Sequence, residues 1–463
     1  MTLYPVSLLF ILIWLRVSLK DPDRGVSVAL AALPFGMFAA LAVGGLSVLM
    51  AHFLVLLCCG VFAIRWASGA IGRLHVPRAG ILLLLFGLYS LFSAIILVRL
   101  FAGTFLVFPL SFDLKGTAVS IYFFSTMKPL APSNSNIAQA GYILISIAFF
   151  LVMVNSLRRR GAEIIESGLV WAAGVNIALG AVDLVGLDNA LSIIRTADYA
   201  LNNEHALLGF ARVIGGFPEA SEFGAFSAAM FAYFATSFLI SRRRGHGALA
   251  LGSFTCALLS FSSTGYAALF AAAIMLALHA RHFAVRGISW NIAHGMAVLL
   301  ALALVGLSAA LIATPFLETF MGLIDRLFFD KANSTSGLER AAWARSGLNA
   351  FVQSWGLGAG AGSLRANGLV AVLLGSVGLP GTLAFVAYLW SALGPFRAFG
   401  NVRAACFFYS ARVAAITYLA AKLVSGTTPD PTLFLVAVTA IAAVAREVHL
   451  KRAARARHGT VLA

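Results

Sequence analysis

The chain has 463 residues, of which 61% are apolar and 11% charged, and its mean hydropathy is +0.94. A soluble domain is about 45–50% apolar and about 25% charged, so a soluble enzyme, a disordered chain and a disulfide-stapled secreted module are all excluded. The formal charge of +16 would suggest nucleic acid in a soluble protein, but here the bases fall in short loops between apolar runs, as the positive-inside rule expects, and no nucleic-acid partner follows.

Asp, Glu, Lys and Arg are missing between Arg24 and Arg65, Arg244 and Arg281, Arg286 and Glu318, and Arg365 and Arg397. A crossing needs about 20 apolar residues, so the fold class is an all-α polytopic integral membrane protein, a single transmembrane domain over 1–463. In chain order the spans are about 3–19, 26–43, 46–64, 80–100, 137–157, 164–185, 223–240, 247–260, 263–280, 293–313, 369–394, 404–424 and 432–446, roughly thirteen crossings. With the basic clusters inside, the N-terminus lies outside and the C-terminus inside. The first run has no basic segment before it and no small-residue cleavage site after it, so it is expected to be retained. Cys58, Cys59, Cys256 and Cys406 all lie in apolar runs and read as small buried hydrophobes.

Three outer segments remain, about 101–136, 186–222 and 314–368, by the same topology argument. They carry Lys115, Lys128, Arg195, Arg212, Arg326, Lys331, Arg340, Arg345 and Arg365. Arginine on the outer face runs against the topology rule. It is explained either by headgroup contact and ion pairs with acids such as Asp188, Asp198 or Glu339, or by an anionic substrate whose phosphate oxygens fit the guanidinium fork.

In the segment 186–222, Leu191, Ile194, Ala197, Leu201 and Leu208 recur at helical spacing, as do Arg195, Asp198, Asn202 and His205. This predicts an amphipathic helix from Asp188 to Arg212 whose polar stripe faces water or a cavity. His205 is the histidine of the outer loops. Gly215-Gly216 and Pro218 then stop the helix, leaving Arg212 and Glu219 on either side of a tight turn. Glu219 and Glu222 stand at the mouth of an apolar span, where carboxylates are costly against lipid. Facing a cavity, and partly desolvated, either suits a general base.

In the segment 314–368, Ser336-Gly337-Leu338-Glu339 matches a capping box opening a helix through Arg340, Trp343 and Arg345 to Phe351. Arg340 and Trp343 share a face, whereas Arg345 is displaced by about 140°, which favours Arg340 as the ligand-facing arginine. The glycine run Gly356-Leu357-Gly358-Ala359-Gly360-Ala361-Gly362 lacks the Gly-Lys-Ser/Thr ending of a nucleotide loop. It serves either close backbone packing or amide contacts to an anion. Gly378-Leu379-Pro380-Gly381 breaks the following span. Arg412 lies inside a span, where a charge is paired or functional; Lys422 is near enough to the outer end to snorkel.

Arg212-x-x-Gly-Gly-Phe-Pro-Glu219-x-Ser, followed by Ser336-Gly-Leu-Glu-Arg340-x-x-Trp343, the Gly-Leu-Gly-Ala-Gly-x-Gly-Ser run and Gly378-Leu-Pro-Gly, resembles the O-antigen ligase/polymerase superfamily, in particular the Wzy-like exopolysaccharide and O-antigen polymerases. The resemblance implies a GT-C-like helical enzyme of the bacterial inner membrane with periplasmic helical loops. Such an enzyme joins oligosaccharides carried on undecaprenyl pyrophosphate, inverting the anomeric centre without metal or nucleotide cofactor. Its implied partners are the lipid-linked donor and acceptor, the bilayer and a chain-length regulator. Arg212 and Arg340 match the pyrophosphate-binding arginines, with Glu219 as the first base candidate and Glu222 and His205 in reserve; Arg195, Arg345, Arg365 and Trp343 complete the expected substrate surface. The ligase branch carries a catalytic histidine where residues Ser363 to Gly368 read Ser-Leu-Arg-Ala-Asn-Gly. A flippase, the non-enzyme alternative, would instead bury its ionisable groups mid-membrane.

Overall fold

The computed structural model of the protein describes residues 2–43, 46–110, 127–197, 206–207, 210–284, 335–395 and 402–459, and these are mostly helical. In chain order the helices are α1 (Val6–Lys20), α2 (Gly25–Ala31), α3 (Met50–Ala67), α4 (Arg78–Leu100), α5 (Asn134–Arg160), α6 (Glu163–Leu184), α7 (Asp188–Ser192), α8 (Ala220–Ser241), α9 (Arg244–Leu259), α10 (Ser263–Ala284), α11 (Thr335–Gln353), α12 (Leu369–Leu393), α13 (Val402–Ser425) and α14 (Leu433–Gly459). Among the described residues seven, α3, α4, α5, α6, α8, α12 and α13, are long and apolar enough to cross a membrane. The run predicted at 293–313 lies outside the described residues.

The central helix is α8, rich in Ala and Ser and buried along most of its length. It packs against α9, α10 and α13, and small side chains of this kind let membrane helices approach closely. A buried hydrogen bond of 2.8 Å from Asn176 to Ser227 ties α6 to it.

One end of the bundle is stitched by the basic clusters. Asp23 pairs with Arg65 and Arg159, Glu166 with Arg243, Glu163 with Arg403, and Glu447 with His75 and Arg158. Burial pushes the Asp23 carboxyl up, but the Arg159 guanidinium and the Ser156 hydroxyl outweigh it and hold it below its ordinary value. Basic residues also close α5 at Arg158–Arg160, where the helix dipole favours cations.

Three sequence expectations are corrected. The run 26–43 is not one helix: α2 stops at Ala31, and after the turn through Pro34 and Gly36 the chain forms the antiparallel pair β1 (Ala39–Val43) and β2 (Leu46–Leu49). Pro34 cannot donate to a continuing helix, and Met37 and Met50 instead donate to Gly216 O and Phe38 O. The amphipathic helix from Asp188 to Arg212 is likewise absent as such. Helix α7 ends at Ser192, Thr196 and Ala197 donate to Met37 O, and Ala206–Leu207 pairs with Phe210–Ala211 as strands. Finally, α11 already includes Thr335 and Ser336, so Ser336 belongs to the first turn and is not the cap.

Candidate functional site

The turn preceding α8 is built around Asp183. Its Oδ2 accepts from the backbone N–H of Ile214 (2.6 Å) and Gly215 (3.0 Å), and its Oδ1 accepts from Arg195 Nη2 at 2.6 Å. Arg195 also donates to Gly215 O at 2.7 Å. Gly215 has φ 56°, a left-handed conformation that glycine adopts without strain. The turn delivers Glu219 to the N-cap of α8 in an extended conformation, its Oε2 accepting from the Ser221 hydroxyl at 2.9 Å.

The glycine run lies along a break in α12. Gly378 has φ 60° and ψ −166° inside that helix, two residues before Pro380. The carbonyls freed there accept from the loop: Ala359 N–H reaches Gly375 O at 2.8 Å and Gly360 N–H reaches Ser376 O at 3.0 Å, while Leu379 N–H reaches Gly356 O at 2.8 Å. A Cβ on Gly358 would sit 2.5 Å from Gly378 N, and one on Gly378 2.3 Å from Leu357 C. Of the two readings open in the sequence, close backbone approach is therefore the one realised, and these amides are committed to protein carbonyls. Ser93, in the π-helical stretch of α4, and Asn136, in the first turn of α5, hold the loop from the other side through Ala361 and Ser363.

This clamp fixes Arg365, whose N–H donates to Phe108 O at 2.7 Å. Its guanidinium lies over the Trp343 ring, 4.5 Å from the centroid. One turn back on α11, Arg340 Nη2 stands 3.9 Å from Glu219 Oε2. Glu339 lies between the two arginines; burial pushes its carboxyl above its ordinary value against the pull of Arg365 and Arg340. Burial also draws the Arg365 guanidinium down, opposed by Glu219 and Glu339. Buried Glu339 Oε1 and Arg365 Nε find no hydrogen-bond partner among the described residues.

The cluster continues into the bundle. Ala220, Ser221 and the residues from Phe223 to Met230 are buried, and Glu222 between them is exposed, with Glu219 and Lys422 acting on it. Lys422 of α13 acts electrostatically on Glu222 and on Asp430, and its Nζ lies 5.4 Å from the Tyr418 ring. Asp430 accepts from Ser146 Oγ at 2.8 Å. Burial pushes its carboxyl up to about 6, while Ser146, the Thr432 N–H and Lys422 restrain the rise. The α13 end of this group is docked to the loop by Gly368 N–H on Gly426 O and Asn367 Nδ2 on Val424 O.

Of the residues singled out in the sequence, Glu219, Glu222, Arg340, Trp343 and Arg365 come together. Arg212 acts on Tyr266 of α10. Arg195 is committed to Asp183 and the turn, and so positions Glu219 instead of meeting a ligand. Arg345 is exposed on α11, away from the Arg340–Trp343 face. His205 lies outside the described residues. Lys422, read as a snorkelling residue, and Asp430, which the sequence did not single out, join the site.

Neither a family model nor a curated protein matches the chain. The chemistry of the site is thus argued from its own groups. Two guanidiniums, one stacked on an indole, can grip a diphosphate, and two carboxylates beside them can take a proton. Among the described residues no three His, Cys, Asp or Glu side chains converge as a metal would require.

Proposed function

We propose that the protein is a membrane glycosyltransferase of GT-C-like architecture that polymerises undecaprenyl-pyrophosphate-linked oligosaccharide repeats at the periplasmic face of the bacterial inner membrane. The finding that carries the reading is the convergence of Arg340, Arg365 and Glu219 beside Glu222 and Lys422, at the end of the bundle opposite the basic clusters. By the positive-inside rule that end faces outward. The crossing count in this reading falls below thirteen by the 26–43 run.

An acceptor hydroxyl attacks the anomeric carbon; the new glycosidic C–O bond forms as the C–O bond to the lipid diphosphate breaks. Glu219, exposed enough to meet a sugar, takes the hydroxyl proton, and Glu222 is the alternative acceptor. The bridging oxygen that gains charge is met by Arg340 and Arg365, each worth about 3–4 kcal/mol in the manner of oxyanion donors. The Trp343 ring covers the Arg365 guanidinium, which strengthens that contact. The lipid tail lies against the exposed apolar faces of the spans.

Purified protein given a defined lipid-linked repeat tests this directly. A ladder of elongated products supports polymerisation; a single addition to a lipid A core acceptor supports the ligase reading; translocation without any new glycosidic bond overturns both.

A further inference from the structure

Helix α4 gives the depth of the loop that follows α11. Arg78 and Arg99 bound a stretch free of Asp, Glu, Lys and Arg, and Arg78 follows His75, which pairs with Glu447 at the basic end. Tyr89 stands midway, about 15 Å along the helix from Arg99 at 1.5 Å per residue. Its hydroxyl donates to Leu357 O at 2.9 Å. Helix α12 agrees: Leu379, whose N–H reaches Gly356 O, is about 21 Å from Leu393 at the inner end. The hydrocarbon layer is about 30 Å thick, so Gly356 and Leu357 lie well inside it.

Helix α11 descends to that depth from the outer end. A Cβ on Gly347 would lie 2.8 Å from Ala371 O, and one on Gly375 2.7 Å from Gly347 O, so the middle of α11 rests on the first turns of α12. The start of α12 is in turn docked beside the end of α13 by Gly368 N–H on Gly426 O. By Gly356 the chain has reached the Gly378 break.

Leu348, Val352 and Trp355 line one side of this descent at steps of four and three, and Val352 and Trp355 are 72% and 88% exposed. Arg345 is exposed one turn nearer the outer end. The neighbouring span shows the same spacing, with Leu379, Leu383 and Val386 of α12 exposed as the lipid-facing residues of a crossing. Asn349 and Gln353, also exposed, lie about 100° round α11 from Leu348 and Val352, as the polar flank of an interfacial helix does. Trp355 has φ 56°, a left-handed conformation costly for a residue with a Cβ, and its ring packs on little protein. Contact with water offers nothing against that cost, whereas burial among acyl chains does.

We propose that α11 dips into the outer half of the bilayer, where phospholipid acyl chains cover Leu348, Val352 and Trp355 while Arg345 stays at headgroup level. Val352 is about 180° round the helix from Trp343, so this surface is separate from the Arg340–Glu219 cluster and does not depend on the glycosyltransferase reading.

The test uses the unaltered purified chain in dioleoylphosphatidylcholine vesicles doped with a phosphatidylcholine bearing a diazirine midway along one acyl chain. Labelling should fall on the peptide holding Leu348–Leu357 as well as on α12 from Leu379 to Val386; labelling that spares 348–357 would overturn the proposal. Added polyprenyl diphosphate should leave the pattern unchanged, and loss of the label would assign the surface to a substrate tail instead. Tryptophan emission reads the depth. The part lost in Trp355→Phe should be quenched by phosphatidylcholine brominated at mid-chain and hardly at all by aqueous iodide, with the thermal melt of the variant unaltered. The reverse pattern places Trp355 in water and refutes the proposal. On the same grounds p-benzoylphenylalanine at position 355 should crosslink to lipid, and a crosslink to residues 293–313 or to a second copy would show that protein, not lipid, covers the stripe.

Discussion

Arg340 Nη2 lies 3.9 Å from Glu219 Oε2, joining α11 to the N-cap of α8. At that distance the pair is a loose one, 27% and 42% exposed, so it contributes little to stability. In the proposed reaction, so loose a pair can exchange each partner for the substrate's phosphate and hydroxyl.

Arg340→Gln should therefore leave the protein folded and lower elongation about 10²–10³-fold, the effect of removing one oxyanion donor. Rates on a defined lipid-linked repeat, read beside an unchanged thermal melt, check this. A rate within a few-fold of the unaltered enzyme would remove Arg340 from the site.

Asp183 and Arg195 behave differently, being 10% and 14% exposed and hydrogen-bonded to the turn. Arg195→Ala leaves a buried carboxylate without its cation and should cost about 3–5 kcal/mol. Denaturant unfolding in detergent would show it, and a double-mutant cycle with Asp183→Asn should return a large coupling. Activity should fall with the folded fraction, since Arg195 holds the turn and not the ligand.

Gly378→Ala meets two obstacles, a left-handed φ of 60° and a Cβ 2.3 Å from Leu357 C. Because the atoms it meets, Leu357 C and O and Gly356 O, are all backbone, none can rotate away, and a loss above about 3 kcal/mol is expected. Gly174, whose added Cβ meets nothing within 4 Å, is the comparison site, and Gly174→Ala should be neutral by the same melt.

Asp430 gives a pH signature. Folding raises its pKa from 3.8 to about 6, so the folded chain holds the proton more tightly than the unfolded one. Its contribution is fully present below pH 3.8, and stability is lost as pH rises through about 6; the span amounts to at most about 3 kcal/mol. Asp430→Asn should flatten that part of the stability–pH profile. A profile unchanged by the substitution would assign the slope to other groups.

Much of the bundle was legible in the charge-free runs because a membrane span needs little more than length and apolarity. The same signal misled at 26–43, where the residues after α2 are as apolar as a span but enter an antiparallel strand pairing, and hydropathy does not separate the two. At 188–212 the polar period was real, yet Arg195 satisfies Asp183 inside the protein instead of facing a surface, a tertiary pairing that no local pattern encodes. Glu219, Arg340 and Trp343 could be picked out by their motifs. The roles of Lys422 and Asp430 could not, since Lys422 follows an apolar run and Asp430 sits in a short Thr/Pro loop, and they acquire partners only when α13, α5 and α8 meet. The fate of the glycine run was undecidable for a similar reason: the carbonyls that claim its amides are exposed by a break further along the chain.

That last dependence sets an order of events during synthesis. The segment around Gly358 and Gly360 leaves the ribosome before Gly375, Ser376 and Gly378, and until those follow it has Ser93 and Asn136 on one side but not the carbonyls that take the Ala359 and Gly360 amides. Arg365, anchored at the end of the same segment, consequently reaches its place over Trp343 only after the kinked helix has entered the bilayer. A nascent chain arrested between Arg365 and Gly378 would thus have made most of its helices and still lack the Arg365–Trp343 stack.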